Sequence, residues 1–276
     1  MKVGVIIQAR TSSSRLPEKV LKQLPWNGGI TVLEQVIRRV KKAVVDEIIV
    51  ATTAEKRDDP IVRIARKEKV LVFRGSRNDV LARYYFAAKE NGIGLVVRIT
   101  SDCPCIDAAL IDRVVAFHRR ADLDYACSDG FPRGFDVETI SFTALERSHR
   151  EATKDFEREH VTFYARESAS RRFKTGRMRA AGRRRRPDIR VTLDTPEDYA
   201  LLCAVYDALD RANRDFGLEE LLALFRKKPW LALVNEQTTQ KRVFQNRAAE
   251  LAEAVRILDR QDLNRARDIV RAAAAR

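Results

Sequence analysis

Residues 10 to 19 bring together side chains that handle phosphate: Arg10, a run of hydroxyl residues from Thr11 to Ser14, Arg15 and Lys19. They follow directly on an apolar run, Val3 to Ile7, that reads as a buried strand. Backbone N–H groups, hydroxyls and cations in a loop leaving a strand make a cradle for an anion, and so many donors suit a polyphosphate. The stretch is neither a Walker A loop nor a dinucleotide fingerprint, since it contains no GxxxxGK[ST] and no GxGxxG. Asp102 and Asp194 are the second element, each placed just after an apolar run. A triphosphate is handled with Mg2+, a hard cation bound by one or two carboxylates together with phosphate oxygens and water. Two such aspartates can share an ion only if their strands are neighbours. The other reading is a helix cap: "DTPED" can start a helix with Asp194 or Thr195 as N-cap and Pro196 in the first turn.

The elements that must position these groups alternate along the chain. "EIIVATT" (47–53), "VLVFRG" (70–75) and "LVVRIT" (95–100) read as further strands. "TVLEQVIRRVKKA", "DPIVRIARKEK", "DVLARYYFAAKENG" and "ALIDRVVAFHRR" place apolar residues at helical spacing. The pattern predicts an α/β fold, a Rossmann-like, mostly parallel sheet covered on both faces. In such sheets ligands bind beyond the carboxyl ends of the strands. Arg10 to Lys19, Thr52 and Thr53, Gly75 to Asp79, Ser101 and Asp102, and Asp194 all follow predicted strands. From about 124 to 165 the chain carries Asp-Gly, Phe-Pro and Arg-Gly turn signals between short β-like pieces. This segment is expected to leave the sheet as a small β insertion, ending in the helical "FEREHVTFYARES". "DIRVTL" reads as a late strand, and a helical tail follows. The expected division is therefore an α/β domain over 1–216 and a helical extension over 217–276.

A chain of 276 residues can bury a core without staples. No run approaches the roughly 18–20 apolar residues that span a bilayer, and the N-terminus reads as a strand, so membrane insertion is not expected. Cys103, Cys105, Cys127 and Cys203 form no CxxC pair and have no histidine at metal spacing. A zinc site is not expected, and the thiols read as reduced, in a cytoplasmic protein. The net charge of +14 calls for an anionic partner or a solvated surface. It is concentrated only in "GRRRRPDIR" (182–190), and no nucleic-acid motif accompanies it, so nucleic acid is not an expected partner. His118 and His149 sit in charged helical runs and are expected at the surface, whereas Cys103 and Cys105 are expected to pack at a strand end.

"IIQARTSSSRLPEKVL", "EIIVATT", "DDPIV", "VFRGSRNDVLARYY", "VVRITSDCPCID", "PRGFDVE", "EREHVT" and "TLDTPED" follow one another in an order and spacing that resemble a known family. They are similar to the cytidylyltransferases of the spore coat polysaccharide biosynthesis protein F type, related to the acylneuraminate and 3-deoxy-manno-octulosonate cytidylyltransferases. The likeness runs from residue 3 to about 210, and "PWLALVNEQ" extends it to about 237. It implies a sheet of the nucleotide-diphospho-sugar transferase type. It also implies Mg2+-dependent transfer of CMP from CTP to an acidic sugar or a related surface-polysaccharide precursor, with release of pyrophosphate. On the matching positions, Arg10, Arg15 and Lys19 would act on the triphosphate, with Ser13 helping to hold it. Gly75, Ser76 and Asp79 would help read the cytosine edge. Asp102 would bind Mg2+, and Asp194 would complete or support that site. Arg133, Asp136 and Glu138, with Glu159 and His160, would line the acceptor side, His160 in binding rather than proton transfer. A homodimer paired through the inserted segment is also implied.

Two features depart from the resemblance. Many members carry a glycine near position 12 or 13 and another near 18, where this chain has Ser12, Ser13 and Glu18. Glu18 adds an anion beside the proposed phosphate site, and the resemblance gives the arginine block at 183–186 no role. Two other functions stay open at this point. One is a nucleotide-sugar glycosyltransferase on the same fold, although "SDCP" is not the DxD motif that would favour it. The other is a basic nucleotide- or RNA-binding protein without turnover.

Overall fold

Strand β1 (Val3–Gln8) is buried on both faces, which is why it reads as a continuous apolar run rather than an alternation. Around it, a computed structural model describes residues 1–209, 216–238 and 247–274. Strand β1 pairs with β2 (Glu47–Thr53) on one side and with β4 (Leu95–Thr100) on the other, both parallel, and β3 (Leu71–Gly75) lies parallel beyond β2. Helices α1 (Val32–Val40) and α2 (Asp59–Lys67) connect the strands on one face, and α3 (Val80–Glu90) crosses on the other. The chain thus moves outward from β1 to β3 and then returns to the far side of β1. That reversal opens a crevice between the carboxyl ends of β1 and β4, the place where doubly wound sheets bind ligands.

The segment expected to leave the sheet instead completes it. Strands β5 (Tyr125–Asp129), β6 (Glu138–Ser141) and β7 (Thr175–Arg179) extend the order to β3-β2-β1-β4-β6-β5-β7. Only β6 is reversed: it runs antiparallel to both β4 and β5, while β7 is parallel to β5. The turn residues 130–137 therefore fold back at the same edge as the crevice. "DIRVTL" also differs from expectation. It forms no regular strand; Arg190 makes a single parallel bridge to Arg133, and Leu193 N donates to Asp102 O just past the end of β4.

Helices α4 (Ala108–Arg120), α7 (Pro196–Leu209) and α8 (Leu218–Lys227) join α1 and α2 over one face. Helices α5 (Phe142–Glu151) and α6 (Asp155–Glu159), with residues 161–173, lie on the side of α3. The compact unit carrying the sheet runs Met1–Thr238, so α8 packs within it although the sequence reading drew the limit at 216. The second unit, Thr239–Arg276, is described as two helices, α9 (Arg247–Arg260) and α10 (Asn264–Ala274), packed on each other. No helix among the described residues is long and apolar enough to cross a membrane.

Two histidines depart from their expected exposure. His118 shares the buried face of α4 with Leu110, Ile111, Val114 and Val115, because helical spacing carries that face to position 118. Its Nδ1 lies 3.0 Å from Thr139 Oγ1, and burial pushes the imidazole down to about 4. His149 is half-buried and stacked on Tyr85, with ring centroids 4.4 Å apart.

Glu138 opens β6 inside a polar network on the α3 side. Its carboxylate accepts from Arg98, from Tyr125 Oη at 2.6 Å, from Thr162 Oγ1 at 2.9 Å and from Arg166 at 3.3 Å. Burial raises the carboxyl, but Arg98 and Arg166 outweigh it and hold it down at about 2. A carboxylate depressed in the folded state adds stability above its ordinary range near 4.5, and that stability is lost as pH falls through about 2. Glu138→Gln, which leaves Arg98 buried without its counter-charge, should cost about 3–5 kcal/mol at neutral pH. Urea denaturation at a series of pH values should show the gap to wild type narrowing below about pH 4.5; a gap of constant size would rule out the ionised carboxylate as its source.

Candidate active site

The loop after β1 is held from below by one buried carboxylate. Asp58 Oδ1 accepts from Thr11 N at 2.8 Å and from Thr11 Oγ1 at 2.6 Å, and its other oxygen accepts from Thr53 at the end of β2. Burial raises the Asp58 carboxyl, and the bonds from Thr11 and Thr53 outweigh it, so it stays ionised below its ordinary range. Thr11 O then accepts from Ser13 N and Glu18 N, closing the loop, while Leu16 and Val20 anchor it in the core. The hydroxyl and cationic side chains between these anchors are left half-buried or exposed at the crevice.

Lys19 reaches across that crevice. Its Nζ donates to Asp102 Oδ2 at 2.7 Å, to Asp194 Oδ1 at 2.8 Å and to the carbonyl of Leu193 at 2.8 Å. The two aspartates converge because their backbones are neighbours: Leu193 N donates to Asp102 O at 2.8 Å, and Thr192 Oγ1 to the same oxygen at 3.1 Å. Arg15 adds a second cation, 3.1 Å from Asp194 Oδ1. Burial lowers Lys19, but Asp102 and Asp194 outweigh it and raise the ammonium above its usual range. Burial likewise raises both carboxyls and Lys19 outweighs it, leaving Asp102 below its ordinary range and Asp194 down at about 2.

Asp194 is free for this role because other residues cap the helix. Thr195 Oγ1 accepts from Asp198 N at 3.3 Å and Asp198 Oδ2 accepts from Thr195 N at 3.2 Å, the reciprocal pair of a capping box at the start of α7. Two carboxylate oxygens facing one point also suit a hard divalent cation. Among the described residues no group of three or more His, Cys, Asp or Glu could hold a metal by itself. Any ion at Asp102 and Asp194 would therefore complete its shell with substrate oxygens and water.

The other predicted residues fall into separate places. Arg10, Asp79 and Glu159 line a cavity of about 390 Å³ with Arg77, Asn78, Asp155 and Arg158. Asp79 caps α3 by accepting from Ala82 N at 2.8 Å, and its second oxygen takes the Arg158 fork at 2.8 and 2.6 Å. Ser76 Oγ accepts from Asp79 N at 3.1 Å, and Gly75 leaves room for the Arg83 side chain, whose Cγ would lie 2.8 Å from an added Cβ. Arg133 joins the segment before Asp194 by backbone bonds to Ile189 and Val191, and Asp136, at the same turn, acts electrostatically on buried Cys103 beside Asp102. Gly134 is required between them: its φ is +101° and an added Cβ would sit 2.6 Å from the Val191 carbonyl. His160 is half-buried in the turn after α6, its ring 6.5 Å from that of Phe163. Glu138 is buried and occupied by Arg98, Tyr125, Thr162 and Arg166. In the arginine block, Arg183 and Arg184 pair with Glu219 on α8 and Arg186 with Asp188.

Sequence reasoning missed Arg190, Asp198 and Asn235, which surround Asp194. Arg190 donates to Asp194 Oδ2 at 2.8 Å, and Asn235 Nδ2 donates to Asp198 Oδ1 at 2.7 Å. Asn235 lies within the "PWLALVNEQ" stretch, so its position was marked without a reason for it.

Comparison with known proteins gives a consistent set of likenesses. A family model described as cytidylyltransferase matches residues 4–249. The chain is 37% identical over 242 residues to an uncharacterized protein of Methanocaldococcus jannaschii, covering 87% of this chain and 97% of that one. It is 31% identical over 237 residues to the spore coat polysaccharide biosynthesis protein SpsF of Bacillus subtilis, covering 84% and 97%. The structure of a cytidylyltransferase from Leptospira borgpetersenii superposes with a TM-score of 0.78 at 32% identity, covering 88% of this chain and all of that one.

The loop carries one strained residue. Glu18 has φ 52°, in the left-handed region that glycine adopts freely and other residues do not. Relief of about 1–2 kcal/mol of left-handed strain should exceed the about 0.4–1 kcal/mol that a glycine adds to the freedom of the unfolded chain. Glu18→Gly should therefore raise the melting temperature by a few degrees, roughly 2–4 °C at most. Calorimetry decides it, and a lowered melting point would mean that Glu18 makes contacts worth more than the strain.

Proposed function

The chain belongs to the cytidylyltransferase family and is a CTP-dependent nucleotidyltransferase, and on that premise we propose that it transfers CMP to an acidic sugar or related surface-polysaccharide precursor with Mg2+ as its metal. An ionised oxygen of the acceptor attacks the α-phosphorus of CTP. The new bond joins that oxygen to phosphorus, the bond to the bridging oxygen of the β-phosphate breaks, and pyrophosphate leaves with the electron pair. The supporting observation is the meeting of Lys19 with Asp102 and Asp194 at the crevice between β1 and β4.

In this reading Arg10, Arg15 and Lys19 bind the triphosphate and offset the charge that builds on the leaving pyrophosphate. Ser13 holds a phosphate oxygen, and the Gly75–Asp79 loop supports the cytosine. Asp102 and Asp194 hold Mg2+, which when bound supplies further positive charge to the phosphate oxygens. Lys19 keeps the two carboxylates together and ionised beforehand, so the cation and phosphates meet a site already arranged. Arg133, Asp136, Glu159 and His160 form the acceptor side, where an arginine can pair bidentately with a carboxylate. Glu138 acts there through Arg98 and Arg166 rather than by contact. A cytoplasmic homodimer paired through residues 124–165 completes the proposal.

Pyrophosphate release from CTP, screened over acidic sugars with Mg2+ present or chelated, should require both CTP and the metal. Lys19→Met should lower turnover by about 100-fold or more, the scale of losing a charge-stabilising donor. It should also lower the melting temperature, because Asp102 and Asp194 then face each other without their counter-charge, so the loss of turnover is read well below that melting point, on folded protein. Undiminished release by that variant would overturn the assignment of Lys19, and equal thermal stabilisation by CTP, UTP, ATP and GTP would overturn the cytidine preference.

A further inference from the structure

Asp194 presents its two oxygens to different surroundings. Oδ1 faces Lys19 at 2.8 Å and Arg15 at 3.1 Å. Oδ2 is tied back into the protein by Arg190, 2.8 Å away. Arg190 is itself fixed by a fork onto Asp198, with Nε and an NH2 nitrogen each at 2.9 Å. Asp198, whose side chain is fully buried, accepts in addition from Asp194 N at 2.8 Å and from Thr195 N at 3.2 Å. Asn235 closes the arrangement from the turn after α8: its Nδ2 donates to Asp198 Oδ1 at 2.7 Å and to the Arg190 carbonyl at 3.0 Å.

We propose that Arg190, Asp198 and Asn235 are positioning residues that fix the orientation of the Asp194 carboxylate, so that one oxygen stays turned toward the triphosphate and its cation. The inference rests on the reading of Asp194 as a cation-holding carboxylate. Stability alone accounts poorly for the arrangement, because a buried ion pair is often matched or bettered by apolar residues of the same volume. Orientation accounts for it. Rotation of the Asp194 carboxylate breaks its bond to Arg190. Displacement of Arg190 breaks the fork on Asp198, and Asn235 occupies Asp198 Oδ1 with a neutral donor that brings no competing charge. Such supporting contacts around a metal-holding carboxylate are worth about 10–100-fold in metal affinity or activity.

The test needs no acceptor. Calorimetric titration of the full chain with CTP, once with Mg2+ and once with a chelator, gives the factor by which Mg2+ strengthens CTP binding. Asn235→Ala should bind CTP in chelator as wild type does, through Lys19 and the arginines, while losing about 10-fold of the Mg2+-dependent gain. Arg190→Lys keeps the charge but not the fork, and should show the same loss with a smaller drop in melting temperature than Arg190→Ala; it carries the test if Asn235→Ala does not fold. A full Mg2+ gain in both Asn235→Ala and Arg190→Lys, with only the melting temperature lowered, would overturn the proposal and leave these residues as a packing brace. A wild-type protein whose CTP binding ignores Mg2+ would instead sink the underlying assignment of Asp194, and the inference with it.

Discussion

One ammonium group holds the site together. Lys19 Nζ is the point at which three separate parts of the chain meet: the loop after β1, the turn after β4 at Asp102, and the segment ending at Asp194. Two carboxylates facing each other in a half-buried crevice repel, and each is driven toward the protonated form by burial. The lysine reverses both tendencies. With Arg15 and Arg190 it balances Asp102, Asp194 and Asp198, so a dense set of charges is paired without a net excess.

The rest of the structure serves to bring those three parts into register. Parallel pairing of β1 with β4 sets the opening loop beside Asp102, and it exists only because the chain reverses direction in the sheet after β3. Asp194 is delivered by backbone contact rather than by a strand: Leu193 bonds to Asp102, and Val191 bonds to Arg133 across a turn that only Gly134 can make. Asp58 performs the same service for the loop itself, joining Thr11 to the end of β2. These are short, mostly buried hydrogen bonds to scaffold elements, which hold side chains more tightly than loop packing alone.

Where sequence reading went astray, the cause was a contact between distant segments. The turn signals at Asp129-Gly130 and Arg133-Gly134 do mark turns, but the β-like pieces that flank them are expected from sequence to leave the sheet, whereas β5 and β6 extend it beyond β4. His118 looked exposed because its sequence neighbours are charged, yet helical periodicity aligned it with Leu110, Ile111, Val114 and Val115. Glu138 carried the right residue type for an acceptor site but found Arg98 opposite it on β4. Arg190, Asp198 and Asn235 stand within stretches that the sequence marks, but no local signal gives their part around Asp194, because it lies in their contacts with one another.

The sequence by itself determined the alternation of strands and helices, the edge at which the polar residues gather, and the cationic and hydroxyl character of the loop from Arg10 to Lys19. Those follow from periodicity and side-chain chemistry, which are local. Only the tertiary structure decided that β1 lies beside β4, that Asp102 and Asp194 share one lysine, and that Thr195 and Asp198 cap α7 so that Asp194 is released from that duty. Such pairings are fixed by how the whole sheet buries its two faces. No single segment carries that information, because the free energy that selects one strand neighbour over another is spread across the core.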